Sequence, residues 1–101
     1  MAIRPQLPAG TPAVAERLRL TREALGLTQA ALSRSVGISP QAWNNYETGR
    51  RRISLDEAVR VCATTGATLD WIYRGILETT PHSLATKILK QQSAPLPKKR
   101  A

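Results

Sequence analysis

Acidic side chains are scarce in this sequence: Asp and Glu number 7 against 15 Lys and Arg in 101 residues, for a formal net charge of +8. There is no Phe, and there is one Met, one His and one Cys. A solitary Cys62 cannot staple the chain, which excludes disulfide-built secreted scaffolds and fits a reducing compartment. His82, without a Cys or carboxylate cluster at metal-ligand spacing, builds neither a zinc site nor an acid–base centre. No Gly-rich phosphate loop and no nucleophile motif occur, so nothing calls for an enzyme, a metal or a cofactor. No apolar run approaches the ~20 residues that span a bilayer, and Met1-Ala-Ile-Arg-Pro-Gln6 lacks the apolar stretch of a signal peptide. The expectation is a soluble, cytoplasmic protein of one small domain with tails.

What is present is unevenly spread. Residues 1–53 carry 8 basic and 3 acidic side chains, residues 54–78 carry 2 and 4, and residues 79–101 carry 5 and none. A basic front half, a mildly acidic middle and a basic end imply one face turned toward a polyanion, because Lys and Arg near phosphates displace condensed counterions. Nucleic acid is the leading partner on charge and an acidic membrane surface the second. Charge alone does not choose between them.

Residues 1–12 hold Pro5, Pro8, Pro12 and Gly10 and little apolar surface, so they read as a flexible arm. From about Pro12 the period turns helical: Val14, Leu18, Thr21 and Leu25 share one face, with Glu16, Arg17, Arg19 and Glu23 turned elsewhere, and Gly26 ends the helix. Thr28 caps a short second helix, Gln29 to about Ser35, whose Leu32 and Val36 face inward and which Gly37 closes. Ser39 caps and Pro40 opens a third helix that stops near Gly49. There Ala42, Trp43 and Tyr46 point inward, leaving Gln41, Asn44, Asn45 and Thr48 outside. Exposed helical positions normally favour Glu, Lys or Arg, and Asn is a poorer helix former, so helix stability does not account for these amides.

After Arg50-Arg51-Arg52, Ser54-Leu-Asp-Glu57 reads as a capping box, with Glu57 reaching back, and it opens a fourth helix. Leu55, Ala58, Val59, Cys62 and Ala63 are its expected inner face, which makes Cys62 an inert packed thiol. Asp56 and Glu57 fit the positive end of that helix rather than catalysis. Thr68 caps a fifth helix through about Arg74 with Leu69 and Ile72 buried and Trp71 partly covered; Gly75 ends the compact unit. A sixth helix over 80–92, too short to stand alone, must dock on the domain, pair with another chain or stay unfolded. The basic ending Lys98-Lys-Arg100 either adds phosphate attraction or is incidental.

Two short helices around a Gly-containing turn, the second presenting amides, have the layout of a helix-turn-helix DNA reader. Residues 13–75 resemble the Cro/phage-repressor-like (Xre-type) DNA-binding domains through Arg17-Leu-Arg19, Gly26-Leu-Thr-Gln29, Leu32, Val36-Gly-Ile-Ser39, Tyr46-Glu-Thr-Gly49 and Thr68-Leu-Asp-Trp71. The resemblance implies an all-α bundle of five helices, with a basic extension over 76–101. It implies that Gln29 touches a phosphate and braces the reading helix, and that Ser39, Pro40, Gln41 and Asn45 meet base edges in the major groove. Gln41 and Asn45, four apart, each carry a donor and an acceptor and suit adenine N6 and N7. Asn44, Thr48, Arg50, Arg51 and Arg52 fall to the sugar-phosphate backbone, where guanidinium forks fit phosphate oxygens. Arg22 and Glu47 become a structural ion pair.

Two residues depart from the family pattern. Pro40 stands where relatives often have a polar base-contacting side chain, so it offers only apolar contact, as to a thymine methyl. Trp43 replaces a smaller inward residue. Ser33 stays small enough for a close helix crossing. The function implied is sequence-specific binding of double-stranded DNA, hence transcriptional regulation, with repression the simplest form. One such module reads few base pairs, so a homodimer on two half-sites is expected, with Trp71 to Leu77 and the sixth helix as its surface. The alternatives are an antitoxin that also neutralises a toxin protein and a protein–protein adaptor on the same fold. An inducer or toxin partner is not identified by any residue.

Overall fold

The structure, a computed structural model, describes residues 11–93. The first ten residues of the expected arm and the basic ending lie outside this range, while Thr11 and Pro12 already belong to the first helix. Four α-helices follow in order, α1 (Thr11–Ala24), α2 (Gln29–Val36), α3 (Pro40–Glu47) and α4 (Leu55–Thr65), then a π-helical turn (Asp70–Arg74) and α5 (His82–Ser93). No described helix is long and apolar enough to cross a membrane.

The capping residues are where the chemistry of the sequence puts them. The hydroxyls of Thr28, Ser39 and Ser54 accept from the backbone N–H groups of Ala31, Ala42 and Glu57 at 3.0, 3.1 and 3.2 Å, and Pro40 takes the first position of α3, where its missing N–H costs nothing. Gly37, at φ +76°, turns the chain sharply between α2 and α3 in a conformation that L side chains resist. The Ile38 N–H then returns to Ser33 O at 2.9 Å, and buried Ile38 plugs the corner.

Four details depart from the sequence reading. Arg17 is not turned to solvent. It is 8% exposed, its Nη1 donates to Ile72 O at 2.8 Å, and its guanidinium lies 6.0 Å from the Trp71 ring centroid. Burial pulls its pKa below the ordinary value. The reason is that α1 packs against three elements, α3, the π-turn and α5, so its buried surface is wider than the single stripe of Val14, Leu18, Thr21 and Leu25 and takes in Arg17.

Trp71 is not partly covered either. It is 2% exposed and its Nε1 donates to Thr21 Oγ1 at 2.8 Å, which makes it core.

On α4 the inner face is Ala58 and Val61, with Cys62 and Thr65 half-buried beside them, while Leu55 and Val59 are 59% and 49% exposed and Ala63 is exposed. Small Ala58 and Val61 let α4 approach the bundle, where it packs on α2.

The capping box is half made. The Glu57 carboxylate accepts from the Tyr46 hydroxyl rather than reaching back to Ser54.

The sixth helical segment docks. Leu84 and Ile88 of α5 are buried and the helix packs along α1. Gly75, at φ +76°, holds a backbone conformation that L side chains resist, and an added Cβ would press on Arg17 Nε at 3.2 Å.

Candidate nucleic-acid interface

A short helix can present side chains accurately only if its own position is fixed, and α3 has eight residues. Its inner face supplies the fixing: Trp43 is fully buried and Tyr46 nearly so, their rings edge to face at 6.4 Å. The stronger restraint is Glu47, whose side chain is 3% exposed. Its Oε2 accepts from Arg22 Nε at 2.7 Å and Trp43 Nε1 at 2.6 Å. Its Oε1 accepts from Arg22 Nη2 at 3.0 Å and Gln29 Nε2 at 2.9 Å. Arg22 also donates through Nη1 to Leu27 O at 2.9 Å. One carboxylate therefore ties the end of α3 to α1 and to the start of α2, with fork-on-fork geometry to the arginine and neutral donors filling the remaining lone pairs.

The expected Arg22–Glu47 ion pair and the expected brace from Gln29 are thus one cluster. Trp43 is the third donor residue and fourth member of this cluster, a role the sequence did not assign to it. Its four-residue spacing from Glu47 on a helix is the signal that could have found it.

The outer face is different. Ser39, Pro40, Gln41 and Thr48 are exposed, and Asn44 and Asn45 are half-buried. Thr48 Oγ1 donates to its own helix, to Asn44 O at 2.9 Å. Asn45 Oδ1 is buried and accepts nothing, and among the described residues it is the one buried side-chain nitrogen or oxygen without a partner.

Arg50, Arg51 and Arg52 are exposed, on a loop anchored at both ends. The Arg50 and Arg51 N–H groups donate to Asn45 O at 2.9 and 3.2 Å. The Tyr73 hydroxyl donates to Ile53 O at 2.8 Å, and the Arg52 guanidinium stands 5.8 Å over the Tyr73 ring. Burial pushes the Tyr73 phenol up, against a lowering influence from Arg52.

Between Glu23 and Asp56 the only carboxylate in the sequence is Glu47, and its buried charge is spent on Arg22. The surface formed by α2, the turn, α3 and the arginine loop therefore exposes no negative charge. It exposes Arg34 on α2 together with the three loop arginines. Arg34 was not among the expected contacts; the acid-free stretch of sequence around it is the signal that marks it. Such a surface concentrates polyanions through its field.

Other expected residues lie away from this face. His82 is exposed at the start of α5, and Cys62 is half-buried, with burial pushing its thiol up. Among the described residues no group of three or more His, Cys, Asp or Glu side chains converges as for a metal ion. Of the expected dimer surface, Ile72 is core and Trp71 is 2% exposed, at the wall of an open groove. What stays open on that side is a groove of about 640 Å³ between the π-turn and α5, lined by Leu77, Thr80, Ala85 and Leu89 among others.

A protein of Rhodospirillum rubrum, described as an uncharacterized transcriptional regulator in the ATPase CF(0) region, is 32% identical to this chain over 68 residues, which are 67% of this chain. The match spans 63% of that relative's length. No solved structure matches. A family profile described as a helix-turn-helix domain matches residues 13–71, the span that begins in α1 and ends within the π-turn. Caps, turn, carboxylate cluster and acid-free outer face all fall inside that span, and the chain belongs to the helix-turn-helix domain family.

Proposed function

We propose that this protein binds double-stranded DNA sequence-specifically as a transcriptional regulator of the Cro/phage-repressor kind, and that it acts as a repressor. The carrying observation is the pairing of a locked short helix with an outward face of amides and arginines that shows no carboxylate. The α3 helix enters the major groove, where Gln41 and Asn45, with Ser39 and Pro40 at the helix start, meet base edges. Gln29 keeps a second amide hydrogen for a phosphate while its first braces Glu47. Asn44, Thr48 and Arg50 to Arg52 hold the backbone and set the register. The description of the Rhodospirillum rubrum relative as a transcriptional regulator agrees with this reading.

A single reading helix addresses few base pairs, so the protein works as a homodimer on two half-sites about one helical turn apart, joined through the open groove beside α5. Light scattering with and without the selected duplex tests this. A mass that stays monomeric on DNA would exclude the dimer.

The central test is selection of random duplexes by the purified protein. Gln41→Ala relaxes preference at one base position at a cost of about 1–3 kcal/mol. Arg51→Ala weakens all sequences alike and flattens the dependence of log K on log salt by about 0.9. If both variants keep the parent's motif and salt dependence, α3 and its loop are not the reading surface.

A further inference from the structure

Gln41 and Asn45 are both amides on the outer side of α3, but they are held differently. Gln41 is exposed with both polar atoms free. Asn45 is half-buried, and its Oδ1 is wholly shielded with no hydrogen bond. Its Nδ2 is neither shielded in that way nor hydrogen-bonded, so it is the polar atom left facing solvent. The Asn45 backbone carbonyl accepts from the N–H groups of both Arg50 and Arg51, which holds this residue at the junction of helix and loop.

An unpaired buried carbonyl lowers the stability of the fold, and such groups in native proteins mark function or strain. Asn also forms helix poorly. Two costs therefore meet at one position.

We infer that Asn45 reads its base with a single donor, Nδ2, and not with the paired donor and acceptor of a free amide. This rests on the reading of α3 as the DNA-reading helix. In the major groove a lone donor finds a partner on adenine N7, on guanine N7 or O6, and on thymine O4. Cytosine offers only its N4 donor there. Asn45 therefore rejects cytosine and tolerates the other three bases, while Gln41, with both atoms available, selects adenine. The two amides divide the work: one position of the recognised sequence is sharp and the other is defined by exclusion.

Selection of random duplexes by the parent, Asn45→Ala and Asn45→Asp tests this directly. The position read by Asn45 is the one that changes between parent and Asn45→Ala. There the parent depletes cytosine about tenfold relative to the other bases, and Asn45→Ala erases the depletion. Asn45→Asp replaces the donor with an acceptor and turns the depletion into an enrichment of the two bases with a major-groove amine, cytosine and adenine, over guanine and thymine.

A parent position that takes adenine alone would overturn the inference while leaving the proposed function standing. So would an Asn45→Asp variant with the parent's preference. A parent that selects no motif would overturn both.

A second arm needs no DNA. Asn44→Ala and Asn45→Ala make the same helix-propensity gain, but only Asn45→Ala deletes the orphan oxygen. Its Tm rises further than that of Asn44→Ala. A smaller rise would show that Oδ1 has a partner in solution, and would overturn the inference even if Asn45→Asp did not fold.

Discussion

At the scale of single residues, the Glu47 carboxylate does most to hold the candidate interface in place. It receives four hydrogen bonds from three side chains on α1, α2 and α3. Removing one partner of a buried pair leaves the other charge uncompensated. Glu47→Ala is therefore expected to cost about 3–5 kcal/mol of stability, read as a lower urea midpoint at unchanged slope. Tyr46, the residue before Glu47 on α3, behaves as a second latch. Burial first, and then its hydrogen bond to Glu57, push its phenol up to about 12. The folded state thus holds a proton there that the unfolded chain releases near pH 10, so this stability is complete below about pH 10 and is lost as pH rises toward 12. Tyr46→Phe removes that part of the alkaline loss, which urea unfolding at pH 9 and pH 11 would show. Arg22, Gln29 and Glu47 were legible because their family resemblance comes with a spacing. Arg17 was not, since a charged residue at a helical period that faces one core gives no sign of a wider buried surface.

At the scale of elements, the ends of the helices were the most readable part of the fold. A hydroxyl at each of three caps and glycines in the turns act locally, and their chemistry does not depend on what packs where. Faces are another matter. Leu55 and Val59 have the same helical spacing that an inner stripe would have, yet they stand outside. Close approach by small Ala58 and Val61, and the Tyr46 link to Glu57, set the rotation of α4. Apolarity of single residues does not decide it. Leu55→Ser should accordingly change stability by no more than about 0.5 kcal/mol. Val61→Ala, which empties a fully buried site, should cost about 2 kcal/mol. Thermal unfolding of the two variants side by side distinguishes this assignment of faces from the opposite one.

At the scale of the whole molecule, the compact unit extends past Gly75, where local punctuation alone would end it. An isolated helix of about 12 residues is marginal in water, so α5 owes its order to docking, which no local pattern could reveal. Its anchor Ile88 is fully buried, and Ile88→Ala should cost about 2–5 kcal/mol, measured on the entire chain by urea unfolding. The same architecture puts one indole on α3 and the other on the π-turn, two elements that both pack on α1. Trp43 donates its N–H to Glu47 beneath the candidate interface, and Trp71 donates to Thr21 beneath α5. Both residues are almost wholly buried, at 0% and 2% exposure. Native emission is consequently blue and deaf to aqueous quenchers, and with either indole replaced by phenylalanine the remaining one reports on its own flank alone. Loosening of the α3 flank and loosening of the α5 flank can then be timed separately in one polypeptide, without a dye.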